Sequence, residues 1–247
     1  MTQPRAALVP TSTSGPTWSA RRGLWAAALP IAAVMILSAS TAFESAAPAC
    51  IALGIFAVII AVAQGRLDAF HPPDRFGGAN VITLFRAAGA ALLGGAALAG
   101  QAPGPAASWG FALASAALLA LDGIDGWLAR RSGLASAFGA RFDMEVDALT
   151  GLALALLVWQ MDKAGPWVLA LGFMRYAFLG LGWARPDFAA PLTPSWRRKA
   201  ICVAQLAALT LLLAPPIAPP LSNAIAAAAL GLLAWSFARD LRRLARR

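Results

Sequence analysis

Charge is scarce in this chain of 247 residues: Asp, Glu, Lys and Arg make up 13% of it, about half the share usual in a soluble domain. With 60% hydrophobic residues and a mean hydropathy of +0.68, that scarcity excludes a disordered chain and an ordinary soluble domain. Cysteine is nearly absent. Cys50 and Cys202 fall in separate apolar runs near opposite expected membrane faces, so no disulfide framework is expected. The single histidine, His71, lies beside Pro72 and Pro73 and reads as linker, not as a catalytic group. A net charge of +9 would suit nucleic acid in a soluble protein. No basic stripe with interleaved aromatics occurs, so nucleic acid is not an expected partner.

What the chain has in abundance is long uncharged apolar runs, each near the roughly 20 residues that cross a bilayer. Eight spans are predicted: 23–42, 48–65, 80–99, 108–128, 147–162, 165–183, 199–215 and 220–238. Prolines and polar residues break them, at Pro103 and Pro105, at Asp162 to Pro166, and at Pro215 to Pro220. The fold class is an all-α polytopic membrane bundle. Residues 1–22 read as a disordered cytoplasmic tail and 23–66 as two N-terminal spans. Residues 67–79 read as an interfacial linker, 80–238 as a six-helix membrane domain that holds nearly all of the polar chemistry and 239–247 as a basic tail. Arg21-Arg22 before an apolar run has the look of an export signal. The run is too long for one and a second span follows, so an uncleaved helix is expected.

With the N-terminus in the cytoplasm, seventeen of the twenty Lys and Arg residues fall in cytoplasmic segments. Only Lys163 lies on the other side, while Arg86 and Arg175 lie inside spans. This asymmetry predicts both termini inside; a bacterial inner membrane is the expected location. The nine tryptophans read as interface anchors or span packing.

Acidic residues number eleven, yet Asp122, Asp125, Asp143 and Asp147 fall within 26 positions. At 100° per residue, Asp122, Asp125, Gly126 and Ala129 share an arc of about 100°, and Gly139, Asp143 and Asp147 one of about 80°. Glu145 points away from the second arc. A short loop makes the two helices antiparallel neighbours, so the four carboxylates can converge. Converging carboxylates repel and need compensating positive charge. All-oxygen donors suit Mg²⁺ or Mn²⁺, and a pair of such ions handles phosphate esters. Gly126 and Ala129 leave room for a ligand, and Arg130 offers a planar fork to a phosphate.

The run D-x2-D-G-x2-A-R-x8-G-x3-D-x3-D, from Asp122 to Asp147, resembles the signature of the CDP-alcohol phosphatidyltransferase family at every fixed position. The resemblance extends over spans three to eight. It implies transfer of a substituted phosphate from a CDP-linked donor to an alcohol, with release of CMP. It also implies two divalent cations, Mg²⁺ or Mn²⁺, and a homodimer. Asp122 and Asp143 resemble bridging ligands, and Asp125 resembles a ligand to one ion. Asp147 resembles a ligand to the other and the general base. Gly126, Ala129, Arg130, Ser136 and Gly139 match donor-side positions. Asn80-x2-Thr83-x2-Arg86 looks like the family's other nucleotide-side element. Lys199 and Gln205 fit part of a further family pattern, from which Arg198, Ile201 and Cys202 depart. The cations Arg141, Arg175, Arg197, Arg198 and Lys199 are candidates for the acceptor. They suit a phosphorylated polyol such as glycerol 3-phosphate or an inositol phosphate, with serine, choline and inositol as open alternatives, and the expected donor is CDP-diacylglycerol. A carboxylate ion site in a transporter is the rival reading. It favours acids at mid-bilayer, whereas these lie at helix ends.

Overall fold

The computed structural model describes residues 18–70, 75–101, 103–134, 136–185 and 195–244. His71 and most of the N-terminal tail lie outside them. The described residues form eight helices and no strand: α1 (Trp18–Ala42), α2 (Ala46–Phe70), α3 (Gly78–Leu98), α4 (Pro105–Ser132), α5 (Ala137–Gln160), α6 (Leu169–Ala184), α7 (Trp196–Leu212) and α8 (Leu221–Leu244). A 3-10 turn over Pro166–Val168 leads into α6. Each expected span corresponds to one helix. Several helices extend further toward the polar side than hydropathy alone suggests, because helical hydrogen bonding does not stop where the apolar run does. Thus α1 starts at Trp18, through Arg21 and Arg22, and α5 starts at Ala137, ten residues before the expected 147.

Six helices are long and apolar enough to cross a membrane by themselves. The other two are α5, charged at Asp143, Glu145 and Asp147, and α7, only 17 residues long. Both pack against several neighbours. The helix α5 packs against α3, α6 and α7, and α7 packs against α4, α5 and α8. Charge is tolerated in a membrane bundle where it faces protein instead of lipid.

The central element is α3, whose apolar window is 67% buried, against 28% or less in the other five spans. Its sequence explains this. Ala87, Ala88, Ala90, Ala91, Gly94, Gly95, Ala96 and Ala97 are all buried, and small residues let backbones approach closely where lipid gives no hydrophobic drive between helices. At Gly95 a Cβ would collide with Pro48 O and Ala52 of α2. Two apolar clusters flank α3. One joins α1, α2, α3 and α5, and the other joins α3 through α8.

Consecutive helices run in opposite directions, as the cross-helix contacts require. Trp25 Nε1 donates to Gln64 Oε1, and Gln160 Nε2 donates to Ala97 O. At one rim, Lys163 is buried and its Nζ donates to the carbonyls of Ala214, Pro215 and Ile217. It thereby satisfies carbonyls left open beyond the end of α7. At the opposite rim, Asp240 of α8 is buried and accepts from Arg197 Nη2 at 2.7 Å, with Arg198 Nη1 at 3.5 Å. That rim also collects the start of α3, the end of α4 and the start of α5.

Candidate active site

The link between α4 and α5 is short because both helix ends are defined locally. Gly133 takes the left-handed conformation (φ 67°) just after α4, which glycine adopts without steric cost. Ser136 caps α5, its hydroxyl accepting from Gly139 N at 3.0 Å. Gly139 itself faces α3: a Cβ there would sit 2.8 Å from Asn80 Oδ1. The two acidic arcs therefore meet across α3.

Arg86 lies at the meeting point. It is 3% exposed, and its guanidinium contacts all four aspartates. Nη1 reaches Asp125 Oδ2 at 2.7 Å and Asp143 Oδ1 at 2.5 Å. Nη2 reaches Asp122 Oδ1 at 3.0 Å and also Asp147 Oδ1. Thr83 Oγ1 lies 3.0 Å from Asp125 Oδ2 and 3.1 Å from Ala79 O, with one proton to donate. Asn80 Nδ2 donates to Phe76 O at 2.5 Å. The element Asn80, Thr83 and Arg86 thus lies against the carboxylates. Arg86 is the group whose central position sequence reasoning missed. The signal was available, because a charge inside a span must find a partner.

The four aspartates do not play equal parts. Oxygens of Asp122, Asp143 and Asp147 lie within 4.8 Å of one another. Asp125 is the most buried of the four and is engaged by Thr83 and Arg86. These residues fit divalent cations. The donor set is all oxygen. Asp122, Asp143 and Asp147 would hold such an ion through their carboxylate oxygens. One guanidinium against four carboxylates leaves a strong negative surplus that divalent ions would offset. Near Gly126, the one atom close to an added Cβ is Arg130 Nη1 at 3.4 Å. That face is therefore open to a ligand, and Arg130 is exposed beside it.

The other sequence-picked cations are engaged elsewhere or face another way. Arg175 Nη2 pairs with Glu145 at 2.5 Å, Arg197 and Arg198 pair with Asp240, and Arg141 is exposed and faces a cavity behind α5. Lys199 is exposed at the start of α7. Gln205 Nε2 donates to Leu171 O and ties α7 to α6. Asp240, the carboxylate that orients the start of α7, was not picked from sequence, because nothing local to FARDLRR separates a buried acid from a solvated one. Cys50 and Cys202 are both free.

A membrane-embedded helical bundle with an oxygen-only acidic centre at one rim is suited to chemistry on phosphate esters beside lipid. Residues 77–237, about two thirds of the chain, match the CDP-alcohol phosphatidyltransferase family, and the chain belongs to it. It is therefore an integral membrane transferase that moves a phosphatidyl group from a CDP-alcohol to an alcohol, and the family uses divalent cations. The matched residues run from just before α3 into α8, so α1 and α2 precede the shared region. No curated protein and no solved structure matches the chain.

Proposed function

We propose that the protein transfers the phosphatidyl group of CDP-diacylglycerol to the hydroxyl of a small polar alcohol and releases CMP at the cytoplasmic face of a bacterial inner membrane. A phosphorylated polyol such as glycerol 3-phosphate or an inositol phosphate is the best fit for the acceptor. The observation that carries this reading is the convergence of Asp122, Asp143 and Asp147 around Arg86, beside the open face of Gly126.

In this reading two ions, Mg²⁺ or Mn²⁺, are held by Asp122, Asp125, Asp143 and Asp147. When bound, they neutralise the donor pyrophosphate and stabilise the departing CMP. The protein's own residues do the rest. Gly126 and Ala129 give the nucleotide close access to the α4 backbone, and Arg130 offers two parallel N–H groups to a phosphate. Asn80 and Gly139 bring α3 against α5, Thr83 ties α3 to Asp125 of α4 and Ser136 caps α5. Together they line the side that takes the CDP part of the donor. The acceptor oxygen forms a bond to the phosphorus that carries diacylglycerol, and the bond from that phosphorus to the CMP oxygen breaks. Asp147 orients the acceptor hydroxyl and takes its proton late, which a loose transition state permits. Arg141 faces the cavity behind α5 and drops out as an acceptor ligand, which leaves Arg175, Arg198 and Lys199 for an anionic acceptor, after rearrangement of the pairs that engage Arg175 and Arg198. The catalytic domain is residues 80–238, with α1 and α2 as an added pair, and the working unit is a homodimer.

The test is to offer purified protein CDP-diacylglycerol, Mg²⁺ or Mn²⁺ and a panel of alcohols, and to measure CMP and the lipid product. Metal-dependent CMP release with one preferred acceptor is the expected result. Absence of CMP release with every acceptor and both metals would refute the reading.

A further inference from the structure

A cavity of about 610 Å³ lies between α2, α5 and α6, on the far side of α5 from the carboxylates. Arg141 and Glu145, which line it, project about 160° around α5 from Asp143. The walls are chiefly apolar, including Val58, Val62 and Leu149. Along α5 the lining runs from Ala137 to Leu149, a depth of about 18 Å at 1.5 Å per residue.

While Glu145 and Tyr176 line the cavity deeper along α5 and α6, the basic groups collect at one end. Arg66 near the end of α2, Arg141 near the start of α5 and Trp183 near the end of α6 all line the cavity there. The directions of the three helices bring these positions to the same rim. Arg66 and Arg141 are exposed and have no ion pair or hydrogen bond among the described residues. Glu145 also lines the cavity, but Arg175 neutralises it at 2.5 Å. Among the described residues, the mouth therefore carries two positive charges without a carboxylate partner above a deep apolar slot. Trp183, 87% exposed, has the amphipathic ring favoured at headgroup level.

We propose that this cavity binds an anionic phospholipid. Its phosphate is held between Arg66 and Arg141, and an acyl chain lies along the apolar walls of α2, α5 and α6. Charge complementarity selects the headgroup, because two arginines offer forked donors to phosphate. The lipid joins α2, which precedes the family-matched region, to α5 and α6 within it. This site is separate from the carboxylate centre and does not depend on the catalytic reading.

The test uses the full chain, purified in detergent and exchanged into nanodiscs of phosphatidylglycerol or phosphatidylcholine. Lipid retained after re-extraction is read by native mass spectrometry, without CDP-lipid or acceptor. One phosphatidylglycerol per chain is expected to survive, with phosphatidylcholine lost. Arg66→Gln with Arg141→Gln should weaken retention about 30-fold, at roughly one kcal/mol per arginine near the surface and 1.4 kcal/mol per tenfold. The Arg66→Lys, Arg141→Lys pair should restore most of it, which separates a charge effect from misfolding. Val62→Trp should displace the lipid while leaving both arginines in place. Equal retention of the two lipids, or retention by the Gln pair at the wild-type level, overturns the proposal. So does a lipid-free chain whose cavity is closed by a second copy.

Discussion

Replacing Arg86 with methionine removes the one group among the described residues that touches all four aspartates. Methionine keeps comparable bulk, so the perturbation is chiefly one of charge. Deleting one partner of a buried ion pair costs about 3–5 kcal/mol, because the remaining charge is stranded. Asp125 and Arg86 are each 3% exposed and meet that condition, whereas the Asp143 side chain is 37% exposed and adds less. For a chain of this size each kcal/mol moves the unfolding midpoint by about 3 °C, so a loss near 10 °C is expected with EDTA present. Divalent ions supply positive charge to the same carboxylates. A ligand that binds only the folded state stabilises it by mass action. Adding Mn²⁺ should therefore raise the midpoint of Arg86→Met by more than it raises that of the wild type. The assay is a thermal melt of detergent-solubilised protein, followed by intrinsic tryptophan fluorescence, with EDTA and across a Mn²⁺ titration. Equal midpoints for the two proteins in EDTA would refute the claim that Arg86 is the internal counter-charge of the cluster. Equal gains from Mn²⁺ would refute the claim that metals act on that same cluster.

Asp147→Asn should lower CMP release by about 10²- to 10⁴-fold, the range of a lost general base, with no loss of folded protein; near-normal turnover would contradict the proton-acceptor role. Gly139→Val forces a side chain against Asn80 Oδ1. It should cost about 1–3 kcal/mol in melts and depress CMP release by prying α5 from α3. Lys163→Met leaves the carbonyls of Pro215 and Ile217 without this donor, while Ala214 O keeps the Ile217 N–H, at about 1–3 kcal/mol. Because Lys163 sits at the rim opposite the carboxylates, the melt should shift while the KM for the CDP-alcohol stays constant.

The helices and the acidic arcs were legible because both are periodic. Apolar runs broken by Pro103, Pro105 and Pro215 to Pro220 define where helices can exist. The spacing of Asp122, Asp125, Asp143 and Asp147 fixes which faces they share. Long-range partners were not legible. Nothing in the sequence states that Arg86 reaches α4 and α5 together, that Arg175 meets Glu145, or that Asp240 holds the start of α7. Those contacts depend on how the helices rotate and cross. Small residues such as Gly95 and Gly139 set the crossing by permitting close approach, yet glycine alone names no partner. Helix lengths were underestimated for a related reason. Hydropathy marks the part of a helix that suits lipid, whereas α5 continues through charged residues that α3 and α7 shelter.

The central claim is that carboxylates from α4 and α5 jointly hold a pair of ions against the donor pyrophosphate. Anomalous diffraction from crystals soaked in Mn²⁺ and a cytidine diphosphate tests it most directly. The account predicts two manganese peaks among Asp122, Asp125, Asp143 and Asp147, with the diphosphate density against them. Well-ordered aspartates with no manganese between them, at saturating metal and nucleotide, would contradict it.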